Sequence, residues 1–436
     1  MQPEEILALD DIDLSDPEFW VRPLVEREGA FLTLRRDRPM SFHEERVPPG
    51  GLVEQGPGYW AVTRHADVCE ASRNPEIFSS AQGATSIPDL PAPFLQFFGG
   101  FINMDDPEHL RQRKLVSLGF TPQRLKKLEQ MTLDAATHTI DQVIEKGECD
   151  FVTDLSAPFP IRIICEMMGI PESQHAFVFE KTNIILGPGD PEFIPEGTDI
   201  ATALVGAGSA LAELMKEMRA DRLANPGDDL TSIIVNAEID GQRMSENDLA
   251  SFFVLLVTAG NETTRNAISH GMRALQDYPD ERAAWQADFA GVTKTAVEEI
   301  VRWASPVIFM RRTTTRTCEL GGQALDAGEK VVLFYNSANR DEAVFDAPFA
   351  FDLRRRPNEH VGFGGPGPHF CLGANLARRE IALFFEQLFT RLPDLELVGP
   401  PDRLASNFIH GIKHMQCRFR PGPRVGGGAA PRLRAA

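Results

Sequence analysis

Apolar positions recur at helical spacing over much of the chain. Between Pro122 and Ile144, the residues Leu125, Leu128, Met131, Leu133, Ile140 and Val143 fall on one face of a helix. Ala201 to Leu223 repeats the pattern, and Thr293 to Trp303 predicts another helix, closed by Ser305-Pro306. Ser245, with Asp248 three places on, reads as the cap of a long helix through Leu275. Its middle, Phe252 to Val257, is apolar all round, as expected of a helix inside a protein.

Strand signals are weaker. Tyr59 to Thr63 is one candidate, and Met310 to Leu320 and Lys330 to Tyr335 are two more, joined through Gly321-Gly322 and Ala327-Gly328. From Phe345 to Cys371 the chain is irregular and rich in Pro and Gly. A helix then carries Ala374, Leu376, Ala377, Ile381, Leu383, Phe384 and Leu388. The fold class expected is mostly α with small β-sheets.

A chain of 436 residues has the length of several small domains, but no linker divides it, so one domain is expected over 1–420. The stretch 421–436, with few large apolar residues, is expected to be a disordered tail. The net charge of −19 argues against nucleic-acid binding through a basic field. Local basic clusters stand out against it: Arg111, Arg113, Lys114, Arg124, Lys126 and Lys127; Arg354 to Arg356; and Arg378 with Arg379. Six scattered cysteines form neither a zinc-type spacing nor an evident disulfide framework. The acidic N-terminus has no signal-sequence pattern, and no run of about 18 apolar residues predicts a membrane span, so a cytoplasmic protein is expected.

The most specific stretch is Phe363-Gly-Gly-Pro-Gly-Pro-His369-Phe370-Cys371-Leu372-Gly373. Its glycines permit turns closed to other residues. Cys371 would sit before a helix N-terminus, where the dipole favours a thiolate. The plain alternative is a buried cysteine behind a turn. A second stretch, Ala259-Gly260-Asn261-Glu262-Thr263-Thr264, sets weak helix formers and an acid inside the buried helix, which is costly without a function. Read alone, it is equally a helix kink filled by a hydroxyl and a structural carboxylate. Glu299 and Arg302, three apart, share a helix face and can pair, as on many surface helices.

Together these stretches resemble the cytochrome P-450 family, with matches from Asp105 to Lys413. The resemblance implies that Cys371 ligates the iron of haem b, and that the thiolate favours O–O cleavage. It implies that Ala259 and Gly260 leave room for O2, that Thr263 holds a water, and that Glu262 relays protons from solvent. His109, Arg113, Arg312 and His369 match positions that bind the haem propionates, although any one alone is as readily a satisfied polar residue. Arg355 matches the third member of a buried Glu299–Arg302 pair with a structural role. Phe363 lies eight places before the cysteine, where the family usually has its aromatic seven before, so the loop is one residue longer.

Details such as Gly260 to Asn266, Val301 to Pro306, Arg311-Arg312 and Phe408 to Lys413 are similar to a bacterial branch. Its members are omega-hydroxylases of methyl-branched fatty acids and isoprenoids, near the sterol side-chain oxidases. The substrate lining expected is Phe94, Phe97, Phe98, Phe101 and Ile102, then Val307, Ile308 and Phe309, then Phe408 and Ile409; singly, each is as readily core. The function implied is oxygen insertion from O2 into a C–H bond of a long apolar lipid. A ferredoxin and its reductase would supply electrons, and the basic clusters would steer the ferredoxin. The rival readings are a peroxygenase, against which Glu262-Thr263 argues, and a haem-based sensor or carrier without turnover.

Overall fold

The computed structural model describes residues 3, 7–46, 53–117, 122–238, 241 and 243–426, and the side chains of all of these except 93, 96 and 122–127. Its axis is the helix Glu246–Asp277. At about 1.5 Å per residue these 32 residues span some 48 Å. Ser245 caps it as expected, accepting from Asp248 N and donating to the Asp248 carboxylate at 2.7 Å. The helix is continuous through Ala259–Thr264.

Around this axis lie Ala92–Gly99, Pro158–Met168, His175–Leu186, Ile200–Ala224, Phe289–Ala304 and Ala374–Arg391. The Pro122–Asp141 helix packs on Ala374–Arg391 and Pro158–Met168. One apolar cluster surrounds the first half of the axis, built from Phe252, Phe253, Ile161, Ile164 and Leu211. Another surrounds the second half, built from Ile268, Met272, Trp285, Ile300, Phe384 and Phe385. The Phe289–Ala304 helix begins one turn before the predicted Thr293, because the Asp288 carboxylate caps it through Gly291 N at 3.0 Å.

The main sheet orders its strands Met40–His43, Tyr59–Val62, Lys330–Phe334, Phe309–Thr314 and Phe78–Ser79. The Tyr59 and Lys330 strands run parallel, and the remaining pairs are antiparallel. Lys330–Phe334 is buried along its whole length, as a central strand should be. The run Met310 to Leu320 is two strands, Phe309–Thr314 and Cys318–Leu320. No helix of the described residues is long and apolar enough to cross a membrane.

Residues 422 to 426 of the expected tail are bonded to the rest of the fold. Gly422 N donates to Ile144 O at 2.9 Å, and Val425 N and Gly426 N donate to the Asp141 carboxylate. Arg424 pairs with Glu145 at 3.1 Å. Composition counts apolar residues and so misses these acceptors at a helix end. Residues 427–436 of the expected tail lie outside the described residues.

Candidate active site

A cavity of about 240 Å³ lies between the central helix and the Cys371 loop. Cys371 sits deep in the protein, yet its thiol opens into this space. The loop is held from behind. Cys371 N donates to Phe363 O at 2.9 Å. A Cβ on Gly367 would lie 2.1 Å from Ser72 O, so the close approach requires glycine there. Burial raises the thiol's pKa. The backbone N–H groups of Gly373 and Ala374, with Arg113 and Arg378, oppose that and stabilise the anion. Phe363 also lines the cavity, with the Arg378 guanidinium 4.5 Å over its ring, so the longer loop still brings this aromatic to the site.

Opposite the thiol lie Ala259, Gly260 and Thr263. The Thr263 hydroxyl donates to Ala259 O at 2.9 Å. Glu262, on another face of the helix, does not reach the cavity. It is buried in an ion pair with Arg265, accepts from Asn266 Nδ2 at 3.0 Å, and keeps Oε2 without a partner. A relay through Glu262 therefore needs that pair to open. Sequence reasoning missed another acid, Glu380, which does line the cavity. Its Oε2 accepts from Thr264 at 3.0 Å, and burial pushes its pKa up to about 8. A signal was present: Leu376, Glu380 and Phe384 stand four apart, which places the acid on the apolar stripe.

Arg113, Arg312 and His369 line one side of the cavity, and His109 stands behind, its ring 4.2 Å from that of His369. Arg312 is buried, and its guanidinium donates to Arg311 O at 2.7 Å. His109 Nδ1 meets the Asp106 carboxylate at 3.2 Å, while its Nε2 is buried without a partner. Burial, with Arg312, His109 and Arg113 nearby, pushes His369 down to about 2. Donors outnumber the nearby carboxylates of Asp105 and Asp106, which suits a ligand that brings its own anionic groups.

Of the expected lining, Phe101, Ile102 and Val307 face the cavity. The other seven are placed elsewhere. Ile308 and Phe309 are buried in the cluster behind the main sheet, since only Val307 and Met310 of that run turn inward. Phe408 stacks edge-on to Phe309 at 5.3 Å, and Ile409 is bridged to Val307 from behind. Phe97 and Phe98 pack on the Ile200–Ala224 helix at Gly208, and Phe94 packs on Phe98. A run of aromatics marks an element as apolar but does not say which face it turns to the site. Leu255, Leu256, Ile164, Met167 and Met310 also line the cavity.

Outside the cavity, Glu299 is fully buried and joins both arginines. It meets Arg302 through two contacts of 2.7 Å and Arg355 at 3.1 Å. The arginines in turn donate to carbonyls of Asn339, Asp346, Ala347, Pro348 and Ala350. This fastens the irregular segment that leads into the Cys371 loop.

A model of the family described as Cytochrome P450 matches residues 198–396. The methyl-branched lipid omega-hydroxylase of Mycobacterium tuberculosis is 48% identical over 417 residues, covering 94% of this chain and 95% of that protein. The chain belongs to the cytochrome P450 family. The steroid C26-monooxygenase of Mycolicibacterium smegmatis is 38% identical over 425 residues, covering 97% of this chain and 96% of that protein. A Mycobacterium marinum cytochrome P450 solved in complex with pseudoionone superposes with a TM-score of 0.89 at 42% identity, covering 95% and 100% of the two chains. This P450 is therefore a haem b-dependent monooxygenase using O2 and a redox partner. The site fits that cofactor: a thiol opens into the cavity, and an unpartnered His109 Nε2 stands among donors suited to two propionates.

Proposed function

We propose that this P450 hydroxylates the terminal methyl of a long apolar lipid, with methyl-branched fatty acids, isoprenoids and sterol side chains as the substrate class. The observation that carries the reading is the apolar part of the cavity lining. It includes Phe101, Ile102, Leu255, Leu256, Val307 and Met310, with Thr263 on the same lining. Two relatives with near-complete coverage are named for that chemistry.

Cys371 would hold the iron and His109, Arg113, Arg312 and His369 the propionates; the bound haem supplies oxygen activation, favoured by thiolate donation. The chain's own part is geometric and protonic. A terminal methyl is the hardest alkyl position to attack, so the apolar wall must hold the chain end-on and keep weaker neighbouring C–H bonds away. A branch near the tip adds apolar contact of ~0.8 kcal/mol per buried carbon. The small side of the central helix at Ala259-Gly260 leaves space for O2. The Thr263 hydroxyl, released from Ala259 O, orients a proton donor. Glu380, protonated at neutral pH and bonded to Thr264, is the acid already in the cavity wall. Glu262 contributes after parting from Arg265.

The electron donor in this reading is a ferredoxin, and the enzyme works in the cytoplasm. The docking patch is thinner than the sequence count of basic residues. Arg378 holds Glu298 at 2.6 Å, Arg379 faces Glu129 at 3.6 Å, and Arg113 turns into the cavity. Lys114 stays exposed. The side chains of Arg124, Lys126 and Lys127 lie outside the described residues.

Mass-spectrometric mapping of products from a branched and a straight fatty acid of equal length tests the substrate. The branched chain is expected to bind better and to carry the hydroxyl on a terminal carbon. Predominant in-chain hydroxylation, or preference for the straight chain, would sink the assignment.

A further inference from the structure

Arg311 is not used by the site. Met310 and Arg312, its neighbours on the strand, turn into the cavity, while Arg311 turns to the segment 80–91. That segment supplies Ala84 to the cavity wall and continues through Ala92–Gly99 to Phe101 and Ile102. Arg311 grips it repeatedly. Its backbone N–H donates to Ala84 O at 2.8 Å, its Nη1 to Ile87 O at 3.0 Å, and its Nη2 meets Asp89 Oδ1 at 2.6 Å. Lys330, on the adjacent central strand, reaches the other Asp89 oxygen at 2.8 Å and Glu45 at 2.6 Å.

The burial of these four groups is uneven. The side chains of Arg311, Lys330 and Glu45 are 1%, 2% and 1% exposed, whereas Asp89 is 57% exposed. The fixed part of the cluster thus buries two cations against one anion, and only Asp89, on the loop, completes the balance. The other acceptors of the Arg311 side chain, Ile87 O, Pro88 O and Thr313 Oγ1, are neutral, so among the described residues Asp89 is the carboxylate that balances the second cation. An unbalanced buried charge is strongly unfavourable, so the cluster draws the loop closed. The Asp89 carboxyl responds in kind: burial would raise its pKa, but Lys330 and Arg311 together hold it below the usual range.

We propose that Asp89, clasped by Arg311 and Lys330, is the positioning residue that holds segment 80–104 over the cavity and so sets how fast ligands enter and leave. The clasp acts on access, with no contact to the reacting atoms. It depends on the haem-bearing cavity and not on which lipid is the substrate.

Stopped-flow binding of imidazole to the ferric holoenzyme, followed at the Soret band, tests this without assuming a lipid. Asp89→Ala is expected to raise the association and dissociation rates together, by roughly three- to fivefold, with Kd within about twofold, because opening and not affinity has changed. Asp89→Glu should return both rates towards the wild type. The reduced, CO-bound spectrum should be the same in all three proteins. Rates within about twofold of wild type would overturn the proposal, as would a change confined to dissociation, which would make Asp89 a shaper of the wall. Loss of the CO spectrum would also overturn it, since Asp89 would then support the haem site itself. A branched fatty acid that fails to shift the wild-type Soret band counts against the substrate reading alone, and the imidazole rates still decide the clasp.

Discussion

Glu299→Gln is the sharpest test of how the Cys371 loop is supported. The carboxylate is fully buried and faces two arginines, Arg302 through two contacts of 2.7 Å and Arg355 at 3.1 Å. It also accepts from Asp352 N at 3.0 Å and Asn358 Nδ2 at 3.2 Å. Glutamine keeps the shape, replaces one acceptor with a donor, and leaves two guanidiniums buried without a counter-charge. Breaking a buried ion pair from one side costs about 3–5 kcal/mol. Unfolding entropy of about 2.1 cal/mol/K per residue, over 436 residues, is about 0.9 kcal/mol/K. The expected fall in Tm is therefore about 3–6 °C. Haem per polypeptide should fall as well, because the arginines bind the carbonyls of the segment leading to Cys371. The assay is thermal denaturation of the holoenzyme, with haem quantified against protein. Arg355→Met is the control. It leaves Glu299 paired to Arg302, so no carboxylate or guanidinium is stranded, and removes the 3.1 Å contact to Glu299 with the hydrogen bonds to carbonyls, at about 1–3 kcal/mol. If the two variants lose the same stability, or if Glu299→Gln keeps the wild-type Tm and haem content, uncompensated charge is not what governs this corner.

Cys371→Ala should abolish the long-wavelength Soret band of the reduced, CO-bound protein; retention of that band would mean another ligand. Thr263→Ala should keep its haem but divert electrons to peroxide, and unchanged product per NADH would remove the hydroxyl from proton delivery. Glu380 makes a pH prediction. Its pKa rises from 4.5 to about 8 on folding, so between those values the folded state holds a proton that the unfolded state has lost. Its contribution to stability therefore declines from about pH 4.5 to about pH 8 and levels off above. Glu380→Gln should flatten that decline in urea midpoints measured across the range, and an unchanged slope would refute the raised pKa.

The elements and the thiol were legible because each rests on local grammar. Ser245 with Asp248 announced the start of the central helix, and glycines around Cys371 announced a turn no other residue could make. Arg355 could be joined to Glu299 only through the family resemblance, since 56 residues of chain separate them. What escaped was direction. Val307, Ile308 and Phe309 are equally apolar in sequence, but only Val307 turns to the cavity, because Ile308 and Phe309 are needed behind the main sheet. Likewise Asp288 as a cap and Asp141 as an anchor for residues 425 and 426 are acids with no sequence mark of their task.

The placement of Glu262 and Glu380 bears on how protons reach the cavity. The sequence pairs Glu262 with Thr263 as acid and alcohol, and the fold sets them on different faces of one unbroken helix turn. Residues one apart on an α-helix do not face each other, so the acid cannot serve Thr263 from its resting rotamer. Its ion pair with Arg265 is buried, and Arg265 also donates to Asn183 at 3.1 Å, on the helix His175–Leu186. Opening Glu262 thus means loosening a contact to a helix packed over the axis. Proton supply through Glu262 would then respond to movement of that covering helix, whereas Glu380 is already bonded to Thr264 in the cavity wall. Two substitutions separate the two routes. If Glu262→Gln lowers coupling and Glu380→Gln does not, protons pass by the mobile acid; the reverse result assigns them to the acid already in the wall.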